Sequence, residues 1–294
     1  MSEPMKFSVR VQAPARRVLH ALTDAAEMRV WLAEHAEVDL PHTYAFWGRY
    51  TPEGDAPHQR PLHVDDSTVR FGWLIDGEDT TVELRLAEHE DGTIIELSQS
   101  HYPGWKVAVQ EVSIRGALHT YWALSMANLI DHVEGRPLMP KVDFTSTDLT
   151  AEVLIGASRQ DVYDALMDPD KFSRWFGAKV GIEPWVGGRW AMGGFENEPQ
   201  PAKIIDLEEG RKVAIQFADG EVSAWELEES NGKTRLTFVH SGFDEGKPSW
   251  GAWMGWLSGI AELRRFLEMD DWRSVWVSED IPELPKDMLA TESS

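Results

Sequence analysis

The sequence contains no cysteine among its 294 residues. This absence excludes disulfide frameworks, thiolate nucleophiles, cysteine-ligated zinc and iron–sulfur clusters. Basic residues are also few, because 28 lysines and arginines face 50 aspartates and glutamates and leave a net charge of −22. A chain this acidic repels phosphate groups, so we expect no binding to nucleic acid or to an anionic membrane surface.

Long apolar runs are missing as well. No window of about 18 consecutive apolar residues occurs, and residues 1–14 alternate between polar and apolar rather than forming the apolar core of a signal peptide. The sequence therefore predicts no transmembrane helix and a cytoplasmic location.

Tryptophan, by contrast, is abundant: the chain has 14, against 11 phenylalanines and 5 tyrosines. The length favours two domains at roughly 100 to 200 residues each. An internal repeat supports that reading, because Val9–Trp31 aligns without a gap on Val153–Trp175. Later in each half, Trp122 matches Trp256. A period this long indicates two copies of one domain rather than a solenoid.

The repeat gives the predicted domain organisation. The first domain covers residues 1–136, and a linker at 137–148 carries the glycine and proline punctuation that follows a helical pattern. The second domain covers residues 149–272. Residues 273–294 are assigned to an acidic C-terminal tail, and from Ser278 onwards this tail is polar, acidic and interrupted by proline, so we expect that part to be poorly packed.

Each copy has the same predicted order of elements. A short strand leads into a helical segment, a series of alternating strands follows, and a long amphipathic helix comes last. Asp91-Gly92 and Asn231-Gly232 are hairpin signals between successive strands, so the sheet should be antiparallel. The fold class is therefore α+β, with two tandem domains that each wrap a curved antiparallel sheet around a C-terminal helix.

The last helix of each copy carries an apolar stripe at intervals of three and four residues. The stripe of the second copy holds Trp253, Trp256, Ile260, Leu263 and Leu267, and that of the first holds His119, Trp122, Met126, Leu129 and Val133. Stripe and inward strand residues face each other across a gap. If side chains do not fill it, that gap remains as a cavity.

Four segments of the second copy resemble a known superfamily: Asp168–Phe176 (DPDKFSRWF), Val186–Trp190 (VGGRW), Thr234–Phe243 (TRLTFVHSGF) and Gly255–Leu263 (GWLSGIAEL). They are similar to the START-like, SRPBCC superfamily, and most of all to the domain named after the activator of the heat-shock-protein-90 ATPase. The resemblance covers most of the second copy and reaches the first through the repeat. It implies a helix-grip fold with a cavity for a small molecule, in which some members bind lipids, hormones or polyketides and others cyclise polyketides.

Two readings of the tryptophans stay open: they fill a broad core, or they line a ligand cavity. Polar residues at inward positions carry more information. Strand alternation places Gln99 and His240 inward, and helical spacing places Arg115 and His119 on the buried stripe. Such groups should pair with each other, sit at a wet mouth or meet the polar end of a ligand. The candidate ligand-binding residues are Trp31, Trp73, Gln99, Arg115, His119, Trp122, Trp175, Trp190, Trp225, Phe238, His240, Trp253 and Trp256.

Three functions follow as alternatives. The preferred one is a non-catalytic binding protein that holds an apolar or amphipathic small molecule between sheet and helix. The second is a cyclase/aromatase- or hydrolase-like enzyme in which His119, Arg115 and Gln99 polarise a carbonyl. The third is a chaperone-associated protein whose acidic surface meets a basic partner. No metal and no cofactor are predicted, because the histidines show no paired metal-ligand spacing and no phosphate loop occurs.

Overall fold

A computed structural model describes residues 3–110 and 113–284, and the side chains of 109 and 110 are outside that description. The chain divides into two compact units. Within the described residues, the first unit comprises 3–146, 249–258 and 275–284, and the second comprises 147–248 and 259–274. The predicted domain boundaries differ from this division, because residues 137–146 and 275–284 both belong to the first unit.

The first unit is built on a six-stranded antiparallel sheet with the strand order β15-β1-β7-β6-β5-β4, and β2 and β3 form a separate hairpin. Its strands are β1 Met5–Val11, β2 His35–Asp39, β3 Thr43–Trp47, β4 Gln59–Val64, β5 Thr68–Ile75, β6 Glu78–His89, β7 Gly92–Gln99 and β15 Trp276–Asp280. Its helices are α1 Ala15–Thr23, α2 Ala25–Trp31, α3 Trp105–Gln110 and α4 Leu118–Val133.

The second unit is built on a seven-stranded antiparallel sheet with the order β8-β14-β13-β12-β11-β10-β9. Its strands are β8 Thr150–Ile155, β9 Val180–Ile182, β10 Arg189–Met192, β11 Ala202–Glu208, β12 Lys212–Gln216, β13 Val222–Ser230 and β14 Lys233–Ser241. Helices α5 Arg159–Met167 and α6 Pro169–Phe176 belong to it, and helix α7 Trp250–Glu268 is divided between the units at residue 259. The predicted α+β class with curved antiparallel sheets and a C-terminal helix is confirmed.

The Asn231-Gly232 turn fixes the strand register of the second sheet. Both residues have positive φ, 54° and 78°, and Ser230 pairs with Lys233 across the turn. Such two-residue turns match the twist of the strands they join. The register that follows places Ser223 directly opposite His240.

Helix α4 is buried on nearly all sides rather than along one stripe. Trp122, Met126 and Leu129 are at most 1% exposed, as the stripe predicted, but Tyr121 and Asn128 on other faces are buried too. The predicted linker contributes to that burial, because the backbone N–H of Met139 donates to Oδ1 of Asn128 at 2.8 Å. A segment that the sequence suggested as a linker is thus packed against the first unit.

The C-terminal segment also differs from the expected loose tail. Residues 276–280 form β15, which pairs antiparallel with β1 and occupies an edge of the first sheet. The backbone N–H of Arg10 extends this pairing with a 2.8 Å hydrogen bond to the carbonyl of Val275. An edge strand of this kind satisfies backbone groups that would otherwise face solvent.

Candidate functional site

The inner face of the first sheet carries a closed polar network at Gln99. The indole Nε1 of Trp122 donates to Oε1 of Gln99 at 2.7 Å, and Nε2 of Gln99 donates to the hydroxyl of Thr80 at 3.1 Å. The Thr80 hydroxyl in turn donates to the backbone carbonyl of Trp73 at 2.9 Å. The four residues are at most 1% exposed. Gln99 is therefore paired inside the core, which is one of the outcomes that the sequence left open.

Trp31 and Trp175 make the same contact in the two units. The indole Nε1 of Trp31 donates to the carbonyl of Ala21, and that of Trp175 donates to the carbonyl of Ala165, each at 2.9 Å. Both rings are 1% exposed. The contacts fix the helix pairs α1–α2 and α5–α6, so each indole acts first as a structural anchor.

Most of the other predicted aromatic residues are packed as core. Trp73 and Trp122 contact each other with ring centroids 6.0 Å apart, and Trp225 and Phe238 lie 5.1 Å apart on neighbouring strands. Trp190 is 5% exposed and meets Phe172 edge-on at 5.8 Å. Trp253 and Trp256 are 4% and 5% exposed and lie in the part of α7 that belongs to the first unit.

Arg115 does not lie on the buried stripe. Helix α4 begins at Leu118, so helical spacing does not extend back to Arg115, which lies in a preceding turn. Its Nε pairs with Oδ2 of Asp76 at 3.0 Å, and its side chain is 29% exposed. Arg115 is thus paired with Asp76, whereas Gln99 is paired with Trp122 and Thr80.

His119 lies in an apolar setting and faces a carboxyl group. Both ring nitrogens are buried and have no hydrogen-bond partner among the described residues. Phe7 meets the ring edge-on at 6.0 Å, and Oε2 of Glu279 lies 3.9 Å from Nε2. Burial lowers the pKa of His119 to about 4 and raises the pKa of Glu279 to about 7. Both groups are therefore held towards their neutral forms.

His240 links two residues that the sequence reading missed. Its Nδ1 lies 2.9 Å from Oγ of Ser223, and its Nε2 lies 2.9 Å from Oε2 of Glu221. This order of serine, histidine and carboxylate resembles a nucleophile with its base and orienting group. Ser223 is 0% exposed and lies within the sheet, so the arrangement satisfies a buried histidine rather than presenting a nucleophile. The sequence signal for this contact was the Asn231-Gly232 hairpin, because the strand register that follows from the turn places Ser223 opposite His240.

A pocket opens on the first unit between α2, α4 and residues 141–142. Its enclosed part has room for about one water molecule, and its open volume counted to the mouth is about 210 Å³. The lining residues are Trp31, Leu32, Tyr50, Tyr121, Leu124, Ser125, Asn128, Lys141 and Val142. Trp31, one of the predicted ligand residues, thus lines this pocket.

The polar groups at this pocket differ in how well they are satisfied. Lys141 donates from Nζ to the carbonyls of Arg29, Val30 and Ala33 at 2.9 to 3.2 Å, which caps the end of α2. The Tyr121 hydroxyl is buried, and no described residue gives it a hydrogen bond of proper geometry. Burial raises the pKa of Tyr121 well above its usual range, while the neighbouring hydroxyls of Ser125 and Thr51 lower it slightly.

Among residues 3–110 and 113–284, no three histidine, aspartate or glutamate side chains come together as a group that could hold a metal ion. None of the described helices is long and apolar enough to cross a membrane.

One protein-family model matches part of the chain. Residues 156–268 match the family described as "Activator of Hsp90 ATPase homolog 1-like protein". This segment belongs to the AHSA1-like helix-grip family. The matched segment includes α5 and α6, β9 to β14 and α7. The family resemblance predicted from the sequence is therefore confirmed.

Solved structures give further likenesses to the family-matched fold. DynU16, from the dynemicin biosynthetic locus, is 16% identical with a TM-score of 0.39, and the alignment covers 90% of this chain and 98% of that one. The Aha1 dimer from Colwellia psychrerythraea is 22% identical with a TM-score of 0.37, covering 42% of this chain and 97% of that one. CalU16 from Micromonospora echinospora is 20% identical with a TM-score of 0.35, covering 41% and 76%. Comparison with curated proteins finds no match.

Proposed function

We propose that the protein is a non-catalytic binding protein for an apolar or amphipathic small molecule, which it holds at the pocket of the first unit. The observation that carries the proposal is the buried hydroxyl of Tyr121, a pocket-lining residue: the hydroxyls of Ser125 and Thr51 lie beside it, but no described residue gives it a hydrogen bond of proper geometry. A buried polar group without a partner costs about 1 to 3 kcal/mol, so a ligand that accepts or donates a hydrogen bond there gains that energy.

The position of the site differs from the sequence hypothesis. The space between the first sheet and α4 is occupied by Trp73, Trp122 and the Gln99 network, all of which are buried. Tyr121 and Ser125 instead line the pocket on another face of α4, which residues 141–142 border. The proposed ligand therefore contacts α4 at Tyr121, whose ring packs against Trp122 of the network at 5.2 Å, and does not lie within the network itself.

The walls restrict the ligand's chemistry and size. Trp31, Leu32 and Leu124 offer apolar surface, and the hydroxyls of Tyr121 and Ser125 offer a polar end. The enclosed volume of about 10 Å³ holds about one water molecule and is far below the roughly 300 to 1,000 Å³ of drug-sized sites. We therefore expect a compact molecule with a single oxygen or nitrogen acceptor, whose entry displaces a side chain at the mouth.

The test combines ligand screening with a matched pair of tyrosine variants. Melting shifts are measured for a panel of compact compounds, each compared with its analogue without the polar atom. Tyr121→Phe should abolish the advantage of the polar analogue. Tyr102→Phe is the control, because the Tyr102 hydroxyl is also buried and lacks a partner among the described residues but does not line the pocket. No shift with any compound class, or equal loss in both variants, contradicts the proposal.

A second candidate function is docking on a protein partner, which the name of the matched family suggests to be the chaperone Hsp90. The specific observation is an exposed apolar patch within the matched segment, formed by Trp185, Val186 and Ile205, which are 56%, 62% and 43% exposed. Gly187 N–H donates to the carbonyl of Ile204 at 2.7 Å, which holds the loop against β11. Exposed apolar clusters of this kind often mark interaction sites.

Binding to purified Hsp90 tests this candidate at low salt and at about 0.5 M salt. Contact through the acidic surface should weaken with screening, whereas contact through the patch should persist and be lost in Trp185→Ala. Retention of binding by Trp185→Ala at high salt would exclude the patch. A cytoplasmic location remains part of both proposals.

A further inference from the structure

The outer edge of β1 in the first unit is occupied by a segment that comes from far along the chain. β15 pairs with β1 over residues 276–280, with Glu279 opposite Phe7 and Asp280 opposite Lys6. The register shifts between Ser8 and Val9, so the pairing is irregular. An edge strand with an irregular ladder is held less firmly than a central one.

The side chains of β15 add little apolar contact. Val277 is 44% exposed, and Ser278 and Asp280 are exposed as well. Trp276 provides the main apolar contact, with its ring 5.5 Å from that of Phe7. The side chains that anchor the strand are thus Trp276, the inward carboxyl of Glu279 and Ser278, whose hydroxyl lies 2.6 Å from that of Ser8.

The inward carboxyl is poorly matched to its surroundings. Glu279 reaches under β1 to within 3.9 Å of His119, whose two ring nitrogens have no hydrogen bond from any described residue. Around this pair, β1 contributes Phe7 and β7 contributes Leu97, which are apolar, while Lys6 and Glu96 lie on the opposite face of the sheet. Burial raises the pKa of Glu279, so at neutral pH the docked strand carries the cost of a buried carboxylate.

These features indicate that β15 can dissociate from the outer edge of β1. We propose that the outer edge of β1 is a docking site for extended acidic segments with an aromatic residue three positions before a carboxylate, and that residues 276–280 occupy it in cis. Recognition comes from backbone pairing along β1, an aromatic contact on Phe7, an inward position where the Glu279 carboxyl faces His119, and one charge-complementary position, Lys6 opposite Asp280. This is strand addition to a sheet edge, in which alternate side chains give specificity.

The site is independent of the ligand pocket proposed above. Neither Phe7 nor His119 lines that pocket, and none of residues 276–280 does. Failure of one proposal therefore leaves the other unaffected.

The experiment uses the full-length protein and a fluorescein-labelled peptide with the sequence of residues 275–284. Glu279→Arg places a long cation beside His119 and should release β15 from β1. Release is measured as a loss of amide protection at residues 276–280. The released variant should then bind the peptide, whereas the wild-type protein should bind at least about ten-fold more weakly, because its own strand competes at a millimolar effective concentration. A peptide carrying Trp276→Ala should bind weakly to both.

A second variant keeps the test decisive if Glu279→Arg disturbs the fold. Ser278→Pro leaves the buried pair intact, and it removes both a backbone donor from the strand and the hydroxyl that lies 2.6 Å from that of Ser8. The proposal is overturned if the strand is released and the peptide does not bind, if wild-type and released proteins bind equally, or if neither variant releases the strand.

Discussion

The indole nitrogen of Trp122 donates a 2.7 Å hydrogen bond to Oε1 of Gln99, which joins helix α4 to strand β7 inside the first unit. Through Thr80 the same network reaches the backbone of β5 at Trp73. A helix and three strands, β5, β6 and β7, are thereby held by polar contacts in a region that a ligand cavity would otherwise occupy. This is the structural reason that the proposed binding site lies on another face of α4.

The first prediction concerns this network. Gln99→Met keeps the side-chain volume but leaves the Trp122 indole without its acceptor and removes the donor to Thr80, whose hydroxyl still donates to the Trp73 carbonyl, so we expect a loss of about 1 to 3 kcal/mol in the free energy of unfolding. Urea denaturation followed by Trp fluorescence measures the loss. Glu96→Gln, on the exposed face of the same strand, is the control and should change stability by less than about 0.5 kcal/mol. Equal effects of the two substitutions would show that the network does not contribute.

The second prediction uses the matched tryptophans of the two units. Trp31→Phe and Trp175→Phe each remove an indole N–H that donates to a helix carbonyl at 2.9 Å and leave a small cavity. We expect both to destabilise their own unit by about 1 to 3 kcal/mol, because the lost contacts are the same. Trp185→Phe is the control, since that ring is 56% exposed. Hydrogen exchange resolved by segment assigns each loss to its unit, and a large loss in only one unit would contradict the equivalence.

The third prediction concerns the buried histidine of the second sheet. Glu221→Leu removes the carboxylate that faces Nε2 of His240, and Ser223→Ala removes the hydroxyl that faces Nδ1. Each variant leaves one ring nitrogen of a buried residue unsatisfied, so we expect a loss of about 1 to 3 kcal/mol in the free energy of unfolding. Glu228→Gln, on an exposed position of β13, should be nearly neutral. A neutral result for Ser223→Ala would mean that Nδ1 does not depend on this contact.

The elements and their inward faces could be predicted from the sequence because they follow local rules. Alternation placed Gln99 and His240 inward, and the Asn231-Gly232 turn indicated the hairpin that sets the register of β13 and β14. Both rules act over a few residues, so they need no knowledge of the rest of the chain. They fail where periodicity stops, as at Arg115, which precedes the first turn of α4.

Contacts between distant parts of the chain could not be predicted in this way. β15 joins β1 across about 270 residues, and the pairing depends on which edge the rest of the first sheet leaves open. Whether the tryptophans line a cavity or fill a core depends on how side-chain volumes sum in three dimensions. The packing of residues 139–142 against α4 has the same origin, since a polar and proline-containing segment reads locally as a linker.

The last prediction follows from the opposite pKa shifts of His119 and Glu279. The pKa of His119 is lowered from 6.5 to about 4, so its contribution to docking of β15 is present above pH 6.5 and is lost as the pH falls towards 4. The pKa of Glu279 is raised from 4.5 to about 7, so its contribution is present below pH 4.5 and is lost as the pH rises towards 7. Between pH 4.5 and 6.5 the two dependences cancel, because docked and released forms of the pair each bind one proton.

Docking of β15 should therefore depend on pH between 4.5 and 6.5 in variants that lack one member of the pair, although the wild-type protein shows no such dependence. Amide exchange of residues 276–280 gives the docking free energy at each pH. In Glu279→Gln, docking of β15 should become stronger as the pH rises from 4.5 to 6.5. In His119→Gln, docking should become weaker as the pH rises over the same range. Each change should amount to at most about 1.4 kcal/mol per pH unit. The double variant should be flat again and serves as the control. Slopes of the same sign in the two single variants would show that these residues do not titrate against each other beneath β15.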